Sequence, residues 1–175
     1  CIRDRLDPKL YRVKVGKQLF MNCGPNIIEK INNFGFEIFL DLKLHDIPNT
    51  VSKALQNILK LNIWMTNIHL SGGREMIEAS VNKIKEFNNE TLLVGVTVLT
   101  SLDDKNIEEI GFYRNTEEST LVLAKLGKEI GIDGVVASLN SVSEIKTTFG
   151  NDFVTVTPGI RTVSYTHLTL PTKPF

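Results

Sequence analysis

The chain has 175 residues, 42% hydrophobic and 23% charged, with 20 basic and 20 acidic side chains and no formal net charge. That length carries one domain with a substantial core, and the balanced charge leaves no electrostatic footprint for nucleic acid or for an anionic membrane surface. No apolar run approaches the roughly 20 residues that span a bilayer, and the charged opening Cys1-Ile2-Arg3-Asp4-Arg5 has no signal-peptide core. It also has no initiator Met, so the chain reads as a fragment. Cys1 and Cys23, without metal-ligand spacing, read as free thiols of a cytoplasmic protein.

The predicted elements alternate between strand and helix. Residues 11–16 form a strand ending in Gly16, and 26–34 a helix with apolar spacing at Ile27, Ile28, Ile31 and Phe34. Residues 36–42 form a buried strand, and 49–61 a helix with Val51, Ala54, Leu55, Ile58 and Leu59 on one face. Residues 64–70 make the next strand, after which Ser71-Gly72-Gly73 turns the chain into a helix over 75–87. Residues 92–99 are a fourth strand, followed by helices near 103–110 and 117–130. A fifth strand over 134–138, a helix over 141–149 and a sixth strand over 153–157 complete the series. Residues 162–175 are rich in Thr and Pro, show no helical face, and read as a non-native tail to be kept out of the fold.

Strict alternation argues for an α/β fold with a parallel sheet of βαβ units. A doubly wound sheet and an eight-stranded barrel both fit. Six strands fall short of eight, and a whole barrel takes about 250 residues, so a barrel here is incomplete.

The segment Asp41-Leu42-Lys43-Leu44-His45-Asp46-Ile47-Pro48-Asn49-Thr50 carries the chemistry. On a regular strand Asp41 and Lys43 share one face while Leu40, Leu42 and Leu44 share the other. Charges alternating on a strand are costly unless they are used. Asp46 follows at the strand's end, where an α/β barrel collects its catalytic groups.

Several blocks in order extend this pattern: Val13-Lys14-Val15-Gly16-Lys17, the segment above, His69-Leu70-Ser71-Gly72-Gly73, Val96-Thr97-Val98-Leu99-Thr100-Ser101, Asp133-Gly134-Val135-Val136 and Val156-Thr157-Pro158-Gly159-Ile160-Arg161. With them the chain resembles the bacterial-type orotidine 5'-phosphate decarboxylases from Asp4 to Arg161. The resemblance implies a (β/α)8 TIM barrel, of which residues 1–161 would supply strands two to seven. It also implies a cytoplasmic homodimer with shared active sites. The activity implied is decarboxylation of orotidine 5'-monophosphate to UMP in pyrimidine biosynthesis, with no metal and no organic cofactor. By the same resemblance Lys43 stabilises charge at C6 and protonates it. Asp41 lies beside the substrate carboxylate, and Lys14 and Asp46 complete the network. Asp46 and Thr50 reach the neighbouring subunit's site, Thr100 and Ser101 touch pyrimidine or ribose, and Arg161 touches phosphate. Physical chemistry fits these roles: the four network charges sum to zero, which makes their burial tolerable, and the Arg fork suits phosphate.

His45 and His69 read as structural groups, and Gly72-Gly73 as a plain turn. Two rival readings stand beside the resemblance. One is a metal-dependent sugar-phosphate decarboxylase or aldolase on the same barrel, which needs a further acidic ligand. The other is a chain that folds but turns nothing over: open strand edges predict that residues 1–175 alone are poorly soluble and inactive.

Overall fold

The computed structural model describes residues 6–87 and 90–160. Six strands, β1 (Val13–Gly16), β2 (Ile38–Leu44), β3 (Met65–His69), β4 (Leu92–Val96), β5 (Gly134–Val136) and β6 (Val154–Val156), pair in parallel in the order of the sequence. Helices α1 (Lys17–Cys23) and α2 (Asn26–Asn32) join β1 to β2, and α3 (Pro48–Ile58) and α4 (Arg74–Glu86) form the next two crossovers. Helices α5 (Asp104–Glu109) and α6 (Thr116–Ile130) lie between β4 and β5, and α7 (Val142–Phe149) precedes β6.

Strand order settles the choice that periodicity leaves open. A doubly wound sheet reverses its order at a switch point. Here the order never reverses, and right-handed crossovers then put every helix on the same side. The sheet is an arc of a (β/α)8 barrel, six strands wide. Its outer face buries Ile68, Leu93 and Val135 against Leu55, Met76, Ile77 and Leu123 of the helices. Its inner face closes on Phe39, Met65, Val94, Val96 and Val136. Strand residues therefore alternate between two apolar surroundings, which explains their near-continuous hydrophobic runs.

Several elements differ in extent from the sequence reading, and one helix is added. Helix α1 has no counterpart there because none of its residues is buried, so it carries no apolar stripe to read. Strand β2 starts at Ile38 and runs on to Leu44. Strand β4 stops at Val96, after which Thr97 keeps one ladder bond, its N–H donating to the Val136 carbonyl at 3.3 Å, before the chain turns away. Residues 162–175, read as a tail, and Arg161 lie outside the described residues.

One glycine is demanded by close approach. A Cβ on Gly134 would stand 2.2 Å from the Val154 carbonyl oxygen in the adjacent strand. Backbone cannot yield as a flexible side chain can, so Gly134→Ala is expected to cost about 1–3 kcal/mol through forced strand separation. Urea unfolding with the denaturant slope held as a control checks this, and an unchanged midpoint would contradict it.

Candidate active site

The inner face changes character along β2. Phe39 belongs to the apolar inner cluster, and two residues on, Asp41 faces the same way. Asp41 is only 8% exposed. An isolated carboxylate there would carry a desolvation cost of several kcal/mol. Three donors answer it. Lys43 Nζ donates to Oδ1 at 2.6 Å, Asn67 Nδ2 to the same oxygen at 2.7 Å, and Lys14 Nζ to Oδ2 at 3.0 Å. Burial pushes the Asp41 carboxyl up, but the bonds from Lys43, Asn67 and Lys14, with the charge of Lys14, outweigh it and hold the group below its ordinary value.

Lys43 does not reach Asp41 by simple strand alternation. Leu40 pairs with Thr66 and Leu44 with Ile68, so β2 spends four residues where β3 spends two. The surplus is absorbed at Lys43, whose φ is 53°, in the left-handed region a side-chain-bearing residue rarely adopts. Such a conformation costs on the order of 1–3 kcal/mol and persists only where its surroundings impose it. Here the Lys43 N–H donates to Asn67 Oδ1 at 2.7 Å. One amide thus binds both the backbone of Lys43 and the carboxylate that Lys43 holds. This irregularity re-aims a side chain, as bulges beside active sites do.

Asn67 was not among the residues singled out from sequence. The signal is faint: an amide within the apolar run Met65-Thr66-Asn67-Ile68, fully buried and so in need of partners.

The remaining sequence candidates are dispersed. Asp46 is exposed, its Oδ1 accepting from the Ile47 N–H at 2.7 Å, and Thr50 is exposed in the first turn of α3. Neither joins the Asp41 cluster within a single chain. Thr100 lines a polar cavity of about 400 Å³ beyond the ends of β4 and β5, with Asp104, Thr116, Ser138 and Asn140. None of Lys14, Asp41 and Lys43 lines that cavity, and Ser101 is exposed beside it. His45 is exposed and stacks on the half-buried His69, ring centroids 5.1 Å apart. Gly72 ends a short 3-10 turn, and Gly73, at φ 85°, leads into α4. Among the described residues no cluster of three or more His, Cys, Asp and Glu side chains is placed to hold a metal ion.

His69 is drawn down to about 4, first by burial and then by the charges of His45, Lys43 and Lys17. The sign follows from linkage. As pH falls from the usual 6.5 toward 4, unfolded chains take up a proton at this residue and folded ones do not, so stability falls across that window by up to roughly 3 kcal/mol. His69→Phe is expected to flatten the window, as read by unfolding at a series of pH values. Asp41 acts lower: its contribution, present above the usual 3.8, is lost as pH falls through its depressed value. Asn67→Ala orphans the Lys43 N–H and one bond to Asp41, and is expected to cost about 1–3 kcal/mol in the same measurement.

Comparison with known proteins gives a consistent picture. Residues 2–168 match the family model "Orotidine 5'-phosphate decarboxylase / HUMPS family". The orotidine 5'-phosphate decarboxylase of Marinomonas sp. (strain MWYL1) is 52% identical over 158 residues, which cover 90% of this chain and 67% of the relative. That of Hydrogenovibrio crunogenus is 47% identical over 156 residues, 89% of this chain and 66% of the relative. The crystal structure of orotidine 5'-phosphate decarboxylase from Lactobacillus acidophilus superposes with a TM-score of 0.83 at 40% identity, covering 89% of this chain and 72% of that one. The chain spans about two thirds of the length of the curated relatives it matches.

Proposed function

Because the chain belongs to the orotidine 5'-phosphate decarboxylase / HUMPS family, we propose that it forms the greater part of a cytoplasmic enzyme that converts orotidine 5'-monophosphate to UMP and carbon dioxide for pyrimidine biosynthesis. The observation that carries the reading is the buried Asp41 carboxylate held between the ammonium groups of Lys14 and Lys43.

The reaction breaks the bond between C6 and its carboxylate. Carbon dioxide leaves without the bonding pair, which stays on C6 as a carbanion that the ring delocalises poorly. Lys43 supplies a fixed positive charge where the pair develops, then donates an Nζ proton to C6 and recovers one from water. Asp41 sits where the substrate carboxylate would crowd it, a repulsion relieved as carbon dioxide departs. It also stays ionised, since its carboxyl is held below the ordinary range, and so keeps Lys43 aimed. Lys14 grips the other oxygen of Asp41 and fixes the carboxylate plane.

The other roles extend this reading. Asp46 and Thr50, exposed in the single chain, contact substrate in the neighbouring subunit of a homodimer. Thr100 and Ser101 meet the pyrimidine or ribose, and Arg161 the phosphate. Residues 1–161 make up strands two to seven of the barrel, with 162–175 a non-native tail. The rival metal-dependent chemistry is disfavoured at this carboxylate, because two ammonium groups already bound to it repel a divalent cation.

Decarboxylation by the full-length protein, followed by ultraviolet absorbance, tests the proposal. Activity is expected to survive a metal chelator and to fall by roughly 10³-fold or more in Lys43→Ala. No turnover from a folded wild-type protein, or turnover that requires added magnesium, would overturn it. The 175 residues alone, with β1 and β6 as the edge strands among the described residues, are expected to aggregate and to lack activity; robust turnover by them would refute that part.

A further inference from the structure

Two residues beyond Lys43, just past the end of β2, His45 makes a second contact with β3. The His45 ring lies on the His69 ring at 5.1 Å between centroids and 30° between planes. The contact is made room for from behind: a Cβ at Gly72 would stand 3.3 Å from His45 Cδ2 and 2.2 Å from Met76 Sδ. Between Lys43 and helix α3, Leu44 packs against the core and pairs with Ile68, while His45, Asp46 and Ile47 are all exposed.

We propose that the stacked rings of His45 and His69 are a positioning pair for Lys43: they clamp the end of β2 onto the end of β3 and so hold the left-handed backbone that aims the Lys43 ammonium at Asp41. The kinetic part of this inference rests on the role of Lys43 proposed above; the structural part does not.

The interrupted ladder gives such a clamp a role. The ladder between β2 and β3 is interrupted between Leu40 and Leu44, across the strained residue. Beyond the interruption the strands share only the Leu44–Ile68 register. A strained φ survives when it is fixed from both sides. On the near side stands the Lys43–Asn67 hydrogen bond; on the far side stand the Leu44–Ile68 pairing and, beyond it, the ring stack. The clamp needs an aromatic face rather than a charge. Burial acts first on His69, and the charged groups facing it are Lys43 and Asp41 of β2 and Lys17 of α1. The net positive surroundings and burial keep His69 neutral near pH 7, so the rings meet without mutual repulsion.

The test uses two variants of the full-length protein at an exposed position, where folding is not at stake: His45→Ala, which removes the ring, and His45→Phe, which keeps an aromatic face. Two quantities are read: hydrogen exchange of the Lys43 amide, and the separate kcat and KM for orotidine 5'-monophosphate. His45→Ala is expected to speed exchange at Lys43 about tenfold or more and to lower kcat about 10- to 100-fold, with KM within about threefold and the melting temperature nearly unchanged. His45→Phe is expected to restore both to within about threefold of wild type. Unchanged exchange in His45→Ala, or equal damage in both variants, would overturn the proposal. If the wild-type protein lacks decarboxylase activity, the exchange data alone decide the clamp, and the function reading fails separately.

Discussion

A carboxylate almost wholly removed from water must be surrounded by donors, and that requirement at Asp41 organises the working end of this molecule. Its two oxygens draw in Lys14 from β1, Lys43 from the same strand and Asn67 from β3. Three adjacent strands are thereby tied at one point on the inner face. No single partner would suffice, because removing one leaves a buried charge incompletely compensated.

The lower inner face is apolar and the upper part polar, and the division falls between Phe39 and Asp41. Phe39 and Met65 cluster with Val94 and Val136 on the apolar part of this face, and the fixed charges follow toward the C-terminal end of β2. Low-dielectric walls beneath a charged site strengthen each interaction in it. The left-handed Lys43 is the local strain this arrangement carries. It is held in place by packing and hydrogen bonds elsewhere, in the manner of strained functional residues generally.

Much of the fold was legible because the strands are buried on both faces and read as apolar runs, while α3, α4 and α6 carry clear apolar stripes. Periodicity alone did not give strand order, because βαβ alternation is common to barrels and doubly wound sheets; the family resemblance implied the barrel, and the pairing agrees with it. Helix α1 escaped because none of its residues is fully buried and only Phe20 leans on the core. At the site, Asp41 and Lys43 stood out as charges in a strand, and Lys14 through the family resemblance. Asn67 did not, since a neutral amide in an apolar run reveals its importance only when the carbonyl and the amino group find different partners. The interruption in β2 was equally hidden, because a two-residue period assumes an unbroken ladder.

The dependence of this site on Asp41 is tested most directly by titrating its side-chain carboxyl carbon by NMR, with Asp41→Asn used to assign the resonance. The account predicts that in folded protein Asp41 remains ionised at pH 3.8, the ordinary midpoint, and titrates below it. A midpoint at or above 3.8 with the fold intact would mean that burial outweighs the three donors, and would contradict the account.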